Sequence, residues 1–114
     1  MANAINTYTE LELLDGTKVE MTLNYARLLK LSRDDDFGDV YVRYSNTRMS
    51  GVQEELDVAL QLYTGYLCAN IDDLANAMTE DEFYAAMDPN RAVTDLAWNN
   101  LLYPKKAAAS KKRS

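Results

Sequence analysis

The chain has no histidine, one cysteine, two prolines and four glycines among its 114 residues. Without histidine, the commonest general base and the commonest metal ligand are both missing. A single cysteine, Cys68, excludes an internal disulfide framework and any multi-cysteine zinc site. It lies in the most hydrophobic stretch with nothing to activate it, so it reads as a buried structural thiol rather than a nucleophile. The glycines stand apart at 16, 38, 51 and 65, which leaves no loop to cradle a phosphate. No apolar run reaches the roughly 18 residues of a membrane span, and the opening MANAINTYTE lacks the charged and apolar regions of a signal peptide. The expectation is a cytoplasmic, non-enzymatic protein with no cofactor and no metal.

What is present is an ordinary share of apolar residues, 47%, enough to build a core. The length suits one domain. Charge is uneven along the chain. The net charge is −6, yet residues 105–114 carry Lys105, Lys106, Lys111, Lys112 and Arg113 and no acid, so residues 1–104 sum to −11. A globular domain over 1–104 with a mobile basic tail over 105–114 is expected. An acidic body repels phosphate backbones, so binding of nucleic acid would have to rest on the tail alone.

The longest apolar-periodic stretch is 53–71, QEELDVALQLYTGYLCANI, and the other elements are expected to cover it. At about 100° per residue, Leu56, Ala59, Leu60, Tyr63, Tyr66, Leu67 and Ile71 share one stripe, widened by Val58, Leu62 and Ala69. The opposite arc holds Asp57, Gln61, Thr64, Gly65 and Cys68, mostly small, so a neighbour could approach that side closely as well.

Before it, alternation over 8–14 and 18–23 around Asp15-Gly16 predicts a β-hairpin over 8–23 with a type I′ turn, Leu11, Leu13, Val19, Met21 and Leu23 on its apolar face. A two-stranded hairpin is marginal alone; it must dock on its own helices or pair with another subunit. Thr22 or Asn24 can cap a helix over 24–33 with Tyr25, Leu28, Leu29 and Leu31 in phase. Asp34, Asp35 and Asp36 follow. They lack the alternate-position ligands of a calcium loop and read as caps.

Residues 37–49 can alternate as a strand through VYVRY or form a helix with Val40, Tyr41, Tyr44 and Met49 inward; Ser50-Gly51 as a stop favours helix. Residues 71–78 either extend the central helix or break it. Thr79 and Glu82 match a capping box opening a helix over 80–87 with Phe83, Ala86 and Met87 inward. Asp88-Pro89 signals a last helix over 89–103, stopped by Pro104, with Val93, Leu96, Ala97, Trp98 and Leu101 inward. The fold class expected is α+β, mainly α: an N-terminal hairpin followed by a bundle of about five helices.

Carboxylate pairs such as Glu54/Glu55 and Asp72/Asp73 are adjacent in sequence, point about 100° apart on a helix, and form no converging dyad. The aromatic residues are the more informative side chains, since such rings bury large area while keeping a polar tip wet. Tyr25 and Tyr63 are expected to pack internally. Tyr8, Leu11, Leu13, Val19 and Met21 of the hairpin, with Tyr41, Tyr44, Trp98 and Tyr103, are the candidate partner-binding residues.

The order of these features resembles the tail assembly chaperones of long-tailed (siphovirus-type) phages and prophages of Gram-positive bacteria. The likeness lies in LELLDGTKVEMTLNYARLLKL, LDVALQLYTGYLCANI, TEDEFYAAM and the lysine-rich end, with YLCAN before an acidic step the most particular part. The resemblance implies an assembly factor that binds the long tape-measure protein while the tail tube forms around it. It further implies self-association into rings or spirals, and absence from the mature virion, with action in the host cytoplasm. A longer form made by frameshifting, through which the tail tube protein could be contacted, is implied too; Pro104-Lys105-Lys106 and Lys111-Lys112 are compatible positions. A small phage-encoded regulatory or nucleic-acid-associated protein using the basic tail is the alternative.

Overall fold

The structure, a computed structural model, describes residues 8–104; the expected tail over 105–114 lies outside them. Two antiparallel strands, β1 (Tyr8–Glu12) and β2 (Lys18–Thr22), form the hairpin. Helices follow as α1 (Tyr25–Ser32), α2 (Gly38–Met49), α3 (Glu55–Ala69), α4 (Glu80–Ala86) and α5 (Arg91–Leu102), with a 3₁₀ turn over Ile71–Asn76. The α+β, mainly α arrangement expected from the sequence is what forms. α3 is the central element, with β2, α2, α5, α1 and α4 all packed on it. From Gln61 to Cys68 every residue of α3 is buried.

The small arc of α3 decides how the layers assemble. A Cβ added at Gly65 would lie 3.1 Å from both δ-carbons of Leu101 and from Cβ of Met21, so α5 and β2 converge there. A hydrogen at that position lets both approach closely, where a methyl would press on each. The hairpin thus docks on its own helices through Leu11, Leu13 and Met21, all buried. Its loop is also tied down, since Leu14 N–H donates to the Ala86 carbonyl at the end of α4 at 2.9 Å.

The hairpin turn differs from the two-residue form. Leu13 N–H donates to Thr17 O at 2.7 Å and Gly16 N–H to Leu13 O at 2.9 Å, giving a three-residue loop with Gly16 in the left-handed region at φ 89°. Asp15 accepts from Thr17 N–H at 2.9 Å, which makes the longer loop self-supporting.

The helix ends follow the residues. Asn24 caps α1 through Ala26 and Arg27 N–H, and the Asp34 carboxylate accepts from the Asp36 and Phe37 amides ahead of α2. Thr79 and Glu82 close a reciprocal capping box on α4. α5 begins later than expected: Asn90, not Asp88, caps it, while Asp88 accepts from Asn90 N–H and shapes the preceding turn. Residues 38–49 are helical with Phe37 as the N-cap, and 71–78 break the central helix rather than extend it.

Five residues expected to face inward face solvent. Tyr25 (87% exposed) and Leu29 (50%) lie on the outer side of α1, whose short barrel lets only Leu28 and Leu31 reach the core. Met49 (78%) ends α2, Leu56 (77%) sits in the first turn of α3 before that helix enters the core, and Leu96 (62%) lies beside the hairpin. Gln61, expected on the polar arc of α3, is wholly buried.

Candidate functional site

The candidate partner-binding residues separate into a core group and a surface group. Leu11, Leu13 and Met21 belong to the core and are unavailable to a partner of the folded chain. Val19 is half-buried and packs against that core. Trp98 is also engaged inward, its indole Nε1–H donating to Gln61 Oε1 at 2.7 Å. Gln61 in turn donates to Gln53 Oε1 at 2.6 Å and Thr47 Oγ1 at 3.1 Å, so one buried amide ties α2, α3 and α5 together. Tyr8 lies beneath the Arg27 guanidinium, 5.5 Å from its ring centre. Arg27 also donates to the Cys68 carbonyl at 3.0 Å and to Ala69 O at 3.4 Å, placing a cation at the C-terminal end of α3. These are structural roles.

What remains is an aromatic furrow between α1 and α2. Tyr25, Leu29, Tyr41, Tyr44, Arg48 and Met49 line an open groove of about 370 Å³. Tyr44 is its buried floor, packed at 6.1 Å from the Tyr41 ring, and burial raises the pKa of its phenol. Tyr25 and Met49 stand high on the walls. A smaller depression of about 170 Å³ shares Tyr25, Tyr44 and Arg48 and runs on to Leu102 and Pro104 at the end of α5. The neighbouring Tyr103 is exposed. Tyr41 and Tyr44 therefore share the furrow, which Tyr103 does not line.

Sequence reasoning placed Tyr25, Leu29 and Met49 inside and so missed three of the furrow's apolar residues. The available signal was Leu28-Leu29, since adjacent residues on an eight-residue helix cannot both centre on one face.

A second cluster of polar rings holds α4 in place. Tyr63, Tyr66, Phe83 and Tyr84 stack with Phe83 at 5.2 Å from Tyr63 and 5.1 Å from Tyr66. Tyr63 OH donates to Met78 O at 2.9 Å, and Tyr66 OH accepts from Met78 N–H at 2.8 Å, gripping both sides of one residue's backbone. Beside them Arg43 makes a two-pronged pair with Glu80 at 2.7 and 2.9 Å, and Tyr84 OH donates to the same carboxylate at 2.9 Å. The Arg43 hydrogen bond foremost, with a lesser contribution from that of Tyr84, holds the Glu80 carboxyl below its ordinary value against the opposing effect of burial. Burial foremost, then the bond to Glu80, raises the Tyr84 phenol.

Cys68 is buried, and burial pushes its thiol up to about 12. Among the described residues, no three acids or thiols gather as a metal site and no helix is long and apolar enough to cross a membrane. The chain matches no protein-family model, no curated protein and no solved structure with which it was compared.

Proposed function

We propose that the protein is a non-enzymatic tail assembly chaperone that binds the tape-measure protein of a long-tailed phage and associates with itself during tail assembly. The observation that carries the binding role is the α1–α2 furrow, an exposed row of Tyr25, Leu29 and Met49 above Tyr41 and Tyr44. A groove between two helices with apolar anchors along its walls suits the apolar face of an amphipathic helix. Aromatic and methionine side chains supply area and adaptability at such a contact. The negative charge of residues 1–104 keeps a complex with an aggregation-prone client dissolved.

The test is co-expression with the tape-measure chain of the same phage. The client becomes soluble with the native protein and is lost to the pellet with a Tyr25→Ser/Leu29→Ser/Met49→Ser variant that keeps the native melting temperature. Equal client solubility with and without the protein overturns the reading. Sedimentation that shows only monomer at high concentration removes the self-association from it.

A further inference from the structure

The furrow and the smaller depression that continues it share Arg48, the only charged side chain lining either one. Arg48 is exposed and has no ion-pair partner among the described residues. The other cations that touch the helical body are spoken for. Lys30, Arg43 and Arg91 pair with carboxylates, and Arg27 covers Tyr8 and the end of α3. Residues 1–104 sum to −11, so acids are plentiful, yet none is set against this guanidinium.

Arg48 stands in the last turn of α2, where a cation suits the helix dipole. Any side of that turn would serve the dipole; this side chain lies beside the furrow floor, close enough to Tyr44 to pull its phenol's pKa down against the larger effect of burial. Tyr41, Tyr44 and Arg48 follow one another at helical spacing along the furrow wall. From Tyr41 to Arg48 is seven residues, or roughly 10 Å at about 1.5 Å per residue. A helix lying along α2 covers that length in about two turns.

We propose that the furrow selects an amphipathic helix bearing an aspartate or glutamate beside its apolar face, paired with Arg48 about two turns from the apolar residue that meets Tyr41. The guanidinium donates to the carboxylate, and the apolar walls strengthen that bond by thinning the water around it. One cation among aromatic and aliphatic side chains matches one carboxylate on an apolar face. A phosphate backbone would bring a row of charges, which the acidic body repels. The inference rests on the furrow being a helix site, as proposed above, and adds what the helix must carry.

Alanine-based helical peptides with blocked ends, titrated into the full chain and followed by fluorescence anisotropy, test it. They carry leucines at i+4 and i+7 with glutamate or glutamine at i, and a second pair in reversed order covers the opposite chain direction. In one direction the glutamate peptide binds about three- to tenfold tighter than its glutamine twin at low salt, and added salt narrows the margin. Arg48→Gln removes the preference and Arg48→Lys keeps part of it, a readout that a helix-dipole role would not move. Equal binding of glutamate and glutamine peptides overturns this inference and leaves the furrow reading standing, whereas a preference that survives Arg48→Gln overturns the assignment to Arg48. Binding of none of the peptides overturns the furrow as a helix site and this inference with it. Peptide binding that weakens as protein concentration rises assigns the furrow to a second copy and overturns it equally.

Discussion

The Trp98 indole Nε1–H donates to Gln61 Oε1 at 2.7 Å, joining the last helix to the middle of a central helix in which Gln61 is wholly buried. Gln61 spends its two amide hydrogens on Gln53 and Thr47, so Trp98 is what satisfies its oxygen. Replacing Trp98 with Phe keeps an aromatic body but orphans that oxygen. The expected loss is about 1–3 kcal/mol, the cost of leaving a buried acceptor unpaired. Urea unfolding followed by circular dichroism measures it, and a loss below about 0.5 kcal/mol would show that water reaches Gln61.

Gly65→Ala reverses the usual preference for alanine in a helix. Alanine is favoured over glycine by about 1 kcal/mol in a helix interior. Here the new methyl meets Leu101 and Met21 at 3.1 Å, and both are buried, so each must shift by a few tenths of an ångström within a packed core. A net destabilisation of about 1–2 kcal/mol is expected, since inserting a methyl into a packed core costs about 1–3. Adding Leu101→Ala should make the second change cost less than it does alone, which a double-mutant cycle on thermal melts would read.

The Arg43–Glu80–Tyr84 cluster makes a pH-dependent contribution. The folded-state pKa of Glu80 is depressed below its ordinary 4.5, so its stabilisation is present above that value and is lost as pH falls through the lowered folded value. Glu80→Gln should therefore lower stability by about 0.5–1 kcal/mol at pH 7, a modest figure because Arg43 is partly exposed. The difference from the native chain should shrink steadily below about pH 4.5. An equal effect at pH 7 and pH 3 would mean that the charge is not what matters.

Cys68 should resist thiol reagents in the folded chain. With its pKa pushed up to about 12 by burial, the thiolate fraction at pH 8 is on the order of 10⁻⁴, and the sulfur has no surface exposure. Labelling at pH 8 should proceed at the rate of unfolding and become fast in denaturant. Rapid labelling of the native protein would show that α3 opens locally.

Local signals that act over a few residues were legible in the sequence. Asp15-Gly16 announced the hairpin, Thr79 with Glu82 the start of α4, Ser50-Gly51 the end of α2, and the unbroken apolar stretch the central helix. Each works through backbone preference or a hydrogen bond to a near neighbour. The candidate surface was less legible. Whether Tyr25, Leu29 and Met49 line a furrow depends on which side of α1 and α2 meets α3, and helical periodicity gives the spacing of residues around a helix but not its rotation against a partner.

The sequence by itself determined the order and kind of most elements and the identity of the central helix, because propensity, capping and apolar spacing are properties of short stretches; it left open whether 71–78 continue that helix. It also determined the asymmetry of charge, which is a sum over residues. The tertiary structure decided what covers the small arc of α3. Gly65 leaves room for Leu101 and Met21, two residues distant in the chain, and their convergence turned the hairpin's apolar face inward. It likewise decided that Gln61 is buried and Leu56 exposed, since burial is set by neighbours brought together from afar.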